Sequence, residues 1–280
     1  MARSYFAPWA PGSSTLYLVS MCGRYLRRSD KQRIAEAFHV AKGLTDLVLS
    51  AWDYNVPPTT FQPVIRPDRD TGEREITLMR WGLVPFFARE LKGFGYSTIN
   101  ARAEAVATSR IYREPFQRRR CLVPADGFYE WRTIPAPTLF GPDPTPRTGK
   151  NKNTAGKKKN ADKQPYAFTL AGGGPFAFAG LWDRWKDPDA GRVLESFTIV
   201  TTTPNELTAT VHNRMPVILR PQDYDLWLSH GPIDNGSQPV PQLELLALLR
   251  PYPAEKMKAR EAHPDVGNVR NNHPGLLNSA

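Results

Sequence analysis

The chain has 280 residues, enough to bury one sizeable core or two small ones. Hydrophobic residues make up 40% and charged residues 23%, a balance that excludes a wholly disordered chain, and no apolar run approaches the roughly 18 residues of a membrane span. Lys and Arg number 37 against 27 Asp and Glu, and the resulting net charge of +10 favours a polyanionic partner, although one basic loop on a soluble protein would give the same balance.

Residues 1–20 carry Pro8, Pro11 and Gly12 and lack the basic start, continuous apolar stretch and small-residue cleavage site of a secretory signal. Cys22 and Cys121 are the two cysteines, too few for a disulfide framework or a four-thiolate zinc site, so a reducing, cytoplasmic setting is expected, nucleoid-associated if the source is bacterial. Ser29 with Gln32 forms a capping box ahead of Ile34, Ala37 and Phe38, which share a helical face. β-branched and aromatic residues predict strands at 76–80, 120–123, 127–132, 166–170, 176–181, 196–201 and 216–219. Residues 133–164 interrupt this series: five prolines lead into GKNKNTAGKKKN, a composition that cannot offset its ordering entropy and predicts a disordered basic insertion. Thr203 with Glu206 makes a second capping box with Pro204 at the first helical position, and 223–228 and 243–250 are further helices. Without a steady βαβ rhythm, the pattern predicts an α+β domain with a curled, largely antiparallel sheet flanked by helices. Five scattered histidines and two cysteines have no ligand spacing, so neither a metal nor an organic cofactor is expected.

Five short stretches stand out: MCGRY at 21–25, WGLVP at 81–85, NARAE at 100–104, ADGFYEW at 125–131 and HNRMPVIL at 212–219. Singly, each has a bland account. Trp81 and Gly82 read as core plus turn, Asn100 as a cap, His212 as a helix-end residue and Cys22 as an inert small side chain. Together with YNVPP at 54–58, RRRCLVPADGFYEW at 118–131, KQPYAF at 163–168 and GNVRNN at 267–272, they closely resemble the SRAP domain family, the SOS response-associated peptidases or abasic-site processing proteins. The resemblance runs from Met21 to about Leu277 and breaks at the insertion. It implies one β-rich domain with flanking helices and a groove facing single-stranded DNA that contains abasic sites, acting as a monomer and away from membranes.

The resemblance further implies that Cys22 is the nucleophile, that Glu130 shuttles protons, that His212 assists sugar ring opening and that Asn100 orients the sugar or the amine. Arg24, Arg102, Arg110 and Arg214 match phosphate-contacting positions, and Pro58 and Trp81 match an apolar wedge against the bases. The chemistry suits an N-terminal cysteine. Its amine forms an imine with the open-chain aldehyde of an abasic deoxyribose, and its thiol closes on the imine as a thiazolidine; an amide nitrogen cannot do this. Family members begin Met-Cys, whereas twenty residues precede Met21 here, so the reading requires a start at Met21 or removal of the extension. Two other classes remain open: a thiol peptidase using Cys22, His212 and Glu130 or Asn100, and non-catalytic single-strand binding with Cys22 blocked.

Overall fold

The computed structural model describes residues 23–45, 47–50, 52–134, 163–229 and 240–279. Cys22, the extension and residues 135–162 of the insertion lie outside them. In chain order the elements begin with β1 (Tyr25–Arg27), α1 (Lys31–Phe38), β2 (Asp53–Val56), β3 (Phe61–Pro67), β4 (Arg74–Trp81) and β5 (Asn100–Arg102). After α2 (Arg113–Arg118) come β6 (Arg120–Ala125), β7 (Gly127–Thr133), β8 (Lys163–Leu170), β9 (Phe176–Lys186) and β10 (Val193–Thr202). The C-terminal part holds α3 (Glu206–Ala209), β11 (Met215–Pro216), β12 (Ile218–Leu219), α4 (Tyr224–Leu228), α5 (Gln242–Ala247) and β13 (Met257–Glu261).

The expected α+β architecture is present, and its curl is a closure. β4, β3, β6 and β9 are successive antiparallel neighbours, and β10 joins both ends, antiparallel to β9 and parallel to β4. A closed ring leaves these strands no free edge. A second antiparallel sheet has the order β13-β8-β7-β1-β2. Because side chains alternate across a strand, the ring buries both faces. Val64, Met79, Trp81, Cys121, Val123, Phe178 and Phe197 pack with Tyr25, Phe128 and Phe168 of the second sheet. Ile65, Ile76, Leu122, Ala179, Leu181 and Val200 pack with Ile34 and Phe38 of α1, Phe116 of α2 and Trp227 of α4. Cys121 sits fully inside, and burial pushes its thiol far above the ordinary range, which makes it an inert core residue.

Both capping boxes fall elsewhere than expected. The N-cap of α1 is Asp30, whose carboxylate accepts the Arg33 N–H at 2.9 Å, while the Ser29 hydroxyl donates to Asp126. The N-cap of α3 is Asn205, accepting the Thr208 N–H at 2.8 Å, so Thr203 and Pro204 precede the helix. Asn and Asp compete well for the cap position, and each sits closer to the helix than the expected Ser or Thr. Thr133, Lys163 and Gln164 are strand residues, with Thr133 directly opposite Lys163, so the insertion connects a paired hairpin. The run 216–219 divides at Val217, which donates to Val200 and accepts from Ala179, bridging β10 and β9.

Candidate active site

Along β7, Phe128 and Glu130 share one face. Phe128 stacks on Phe168 with ring centroids 5.0 Å apart, which carries Glu130 into a buried position beyond the core. His212 follows α3, where Asn205 caps the helix and the Thr208 carbonyl accepts the His212 N–H at 2.9 Å. The two side chains meet: His212 Nδ1 lies 3.9 Å from Glu130 Oε1, with 9% and 2% of the side chains exposed. They line a cleft of about 490 Å³ together with Gly23, Pro58, Tyr96 and Lys163.

The His212 tautomer follows from its neighbours. The Arg214 backbone N–H lies 3.2 Å from Nδ1, and in the neutral ring that accepts from it the proton sits on Nε2. The Arg214 carbonyl, 3.3 Å away, becomes the acceptor when Nδ1 is protonated. Burial lowers the His212 pKa, and the Lys163 and Arg214 charges lower it further, against that carbonyl. The ring is thereby held neutral near pH 7. Its Nε2 is shielded and has no hydrogen-bond partner among the described residues.

Distant motifs are tied together around this pair. Arg24 donates to Asn55 Oδ1 and the Val266 carbonyl, each at 2.9 Å, and Asn55 Nδ2 reaches the carbonyls of Val266, Asn268 and Asn271. The segments MCGRY, YNVPP and GNVRNN are thus one hydrogen-bonded unit. Asp126 accepts from the backbone N–H groups of Arg28 and Ser29, joining ADGFYEW to the residues after β1. Two glycines are dictated by close approach. Gly82 has φ +112°, and a Cβ there would stand 2.8 Å from the Gly95 backbone; one on Gly127 would stand 2.7 Å from the Phe168 carbonyl oxygen.

The structure brings Glu130, His212, Pro58 and Arg24 to the cleft. Asn100, buried at the start of β5, follows the cleft residue Ile99, and Arg102 is exposed at the end of the same strand. Arg110 is exposed on a separate groove, its guanidinium 4.7 Å from the centre of the Phe87 ring. Trp81 requires a correction. It has no exposed surface, its indole N–H donates to the Ile99 carbonyl at 2.9 Å, and its ring packs on Tyr25 and Phe197, so in this structure it is packed as core rather than presented as a wedge. Arg214 is only 13% exposed, with both fork nitrogens engaged by Glu104 and the Thr201 carbonyl, so a phosphate would have to displace a carboxylate. Among the cleft residues not singled out by sequence are Tyr96, 72% exposed in the glycine-rich GFGYS segment, and Lys163, the first residue of KQPYAF. An aromatic between turn glycines was the available signal for the first; for the second there was only its place in a motif.

A ring-closed β core with this cleft and these joined motifs defines an SRAP protein. The profile of the family described as "SOS response associated peptidase (SRAP)" matches residues 21–269, and the chain belongs to that family. It is 34% identical over 259 residues to the abasic site processing protein YoqW of Bacillus subtilis strain 168, covering 92% of this chain and 100% of that one. It is 31% identical over 240 residues to the abasic site processing protein HMCES of Pongo abelii, covering 80% of this chain and 64% of that one. A crystal structure of a protein from Bacteroides thetaiotaomicron superposes with a TM-score of 0.72 at 25% identity, covering 92% of this chain and all of the other.

Proposed function

We propose that this protein processes abasic sites in single-stranded DNA by bonding covalently to them through Cys22 as an N-terminal residue. The observation that carries the reading is the Glu130–His212 pair, 3.9 Å apart in a cleft whose wall includes Gly23, the residue bonded to Cys22. The family match, which begins at Met21, and the names of the relatives support it.

In the proposed reaction the closed abasic sugar enters the cleft with its C1′ hydroxyl toward Glu130. The carboxylate takes the hydroxyl proton and passes it to O4′ as the C1′–O4′ bond breaks to give the aldehyde, while a hydrogen bond from His212 Nε2–H stabilises the charge developing on the ring oxygen. The Cys22 amine adds to C1′, Glu130 takes a proton from the nitrogen and returns it to the C1′ hydroxyl, which leaves as water, and the thiol sulfur adds to the imine carbon as its proton passes to the nitrogen, closing the thiazolidine. One water is lost per adduct. Exposed Arg102 and Arg110, with Arg24 at the cleft, supply charge for the DNA backbone, and Tyr96 offers exposed aromatic surface for a neighbouring base.

The test compares protein beginning at Cys22 with its Cys22→Ser and Glu130→Gln variants on an abasic oligonucleotide. Wild type should give an adduct that survives heat and detergent, with a mass lower than the sum of its parts by one water. Cys22→Ser keeps an amine but no thiol, so the stable adduct should vanish while DNA binding persists. Glu130→Gln should slow the reaction by about 10²–10⁴-fold with affinity nearly intact. A stable adduct from Cys22→Ser at wild-type yield would exclude the thiazolidine.

A further inference from the structure

Glu104 ends the NARAE motif, two residues beyond β5, outside the cleft lining. Its two carboxylate oxygens accept Arg214 Nη1 and Nη2 at 2.6 and 3.0 Å, and Nη2 also donates to the Thr201 carbonyl of β10 at 2.6 Å. A planar guanidinium gripped at both prongs has little freedom left. The carboxylate gains as well, since the Arg214 hydrogen bonds hold Glu104 below the ordinary carboxylate range. Met215 and Pro216, immediately after Arg214, pair with Thr202 and Thr201 of β10, so the Arg214 peptide is restrained by its side chain and by the strand that follows. That peptide contributes the N–H donated to His212 Nδ1 at 3.2 Å.

We infer that Glu104 is a positioning residue: by locking the Arg214 fork it keeps the Arg214 N–H on His212 Nδ1 and so holds the ring in its Nε2–H tautomer. The inference rests on the reading of His212 as the hydrogen-bond donor to the ring oxygen of the abasic sugar. In a neutral imidazole either nitrogen can carry the proton, and only the Nε2–H form can donate from Nε2. The charged groups around the ring are Glu130 at 3.9 Å, Lys163 and Arg214; Glu130 faces Nδ1 and, with the Arg214 carbonyl at 3.3 Å, draws the proton there, so the peptide N–H has to be held in place to oppose them. A carboxylate that is 56% exposed, beside the DNA-facing arginine Arg102, is unfavourable for binding a polyanion, and the tautomer lock gives it a role there.

The experiment reads the tautomer directly, on the full chain labelled with 15N-histidine, by long-range 15N–1H correlation, with His212→Gln identifying the signals. Wild type should show a proton on Nε2 and a bare Nδ1. Glu104→Gln should give a mixture of tautomers, and Arg214→Lys, which keeps the charge but loses the fork, should give the same mixture. In protein beginning at Cys22, Glu104→Gln should crosslink about tenfold more slowly. Its affinity for undamaged single-stranded DNA should not weaken, because a negative charge has been removed. The double variant should be no slower than the slower single one. A wild-type ring protonated on Nδ1, an unchanged tautomer in Glu104→Gln, or additive losses in the double variant would each overturn the inference. Because the tautomer is read without DNA, it stands or falls separately from the crosslinking reaction.

Discussion

Whether a side chain serves chemistry or core turns on burial and partners, and Trp81 and Glu130 show how differently two motif residues resolve. Both are almost fully buried. Trp81 is surrounded by Tyr25, Phe178 and Phe197 in a cluster without charge, and its one polar atom is satisfied by the Ile99 carbonyl. Glu130 is a buried carboxylate with His212 3.9 Å away, and burying a charge in a cleft beside a histidine marks a candidate for chemistry rather than for packing. The motif WGLVP could not reveal this, because an aromatic beside a glycine looks the same in a core and in a stacking surface. The structure therefore predicts that Trp81 substitutions act on stability. Trp81→Ala should cost about 3–5 kcal/mol, a large part of the roughly 5–15 kcal/mol that holds a domain folded. Trp81→Phe, which keeps one aromatic ring but loses the hydrogen bond and leaves a small cavity, should cost about 1–3 kcal/mol. Denaturant midpoints and affinities for undamaged single-stranded DNA would be measured on Trp81→Phe. A shifted midpoint with unchanged affinity is expected; lost affinity at full stability would restore the wedge.

At the scale of elements, the strands legible in sequence were those with dense β-branched and aromatic residues, such as β9 and β10, buried on both faces. β3 was not legible because Pro63 and Pro67 interrupt it, and proline cannot donate to a ladder; the pairing with β4 nonetheless continues through both. β5 and β13 were hidden for other reasons: one is three residues long, and the other, MKARE, is exposed over four of its five positions. Closure of the ring by β10 was beyond reach, since pairing of strands far apart in sequence leaves no local mark. The β7–β8 hairpin yields a prediction of its own. Thr133 stands opposite Lys163, so residues 134–162 can be replaced by Asn-Gly, which suits a two-residue hairpin turn. If the replaced residues make no contacts, as their composition predicts, shortening the connection should stabilise the fold by about 2 kcal/mol through loop-closure entropy. Thermal unfolding should then occur several degrees higher. A lower Tm would show that the insertion packs on the domain.

Across the whole molecule, the site is assembled from segments at 23–24, 58, 96–99, 130–133, 163, 211–213 and 267, and Arg24, Asn55 and the carbonyls of 266–271 tie the first two to the C-terminal motif. Sequence order alone could not show that they meet. The motifs could be recognised only as a set, and the ties among them explain why a set is what the fold requires. Gly23 lines the cleft, so whatever precedes it is bonded directly to the wall of the site. This makes the N-terminus decisive for the whole protein. Two proteins would be compared on one abasic oligonucleotide, the first beginning at Met1 and the second at Met21. In the second, Met21 is followed by a small residue and should be removed in the cell, freeing the Cys22 amine. An α-amine titrates near 7.7–8.0, so an appreciable fraction is unprotonated and nucleophilic at neutral pH. This protein should crosslink, and the adduct should resist heat and detergent. In the first, the Cys22 nitrogen is an amide, which is not basic enough to form an imine, so no crosslink should form unless the chain is shortened. Its affinity for undamaged DNA tests a separate question, because Arg24, Arg102 and Arg110 are unchanged between the two. Equal affinities would place residues 1–20 clear of the DNA path, and weaker binding by the longer protein would place them across it. Intact mass of the longer protein after reaction settles the mechanism. An adduct that still carries residues 1–20 would defeat the amine chemistry, while cleavage between Met21 and Cys22 before reaction would make removal of the extension the step that activates the protein.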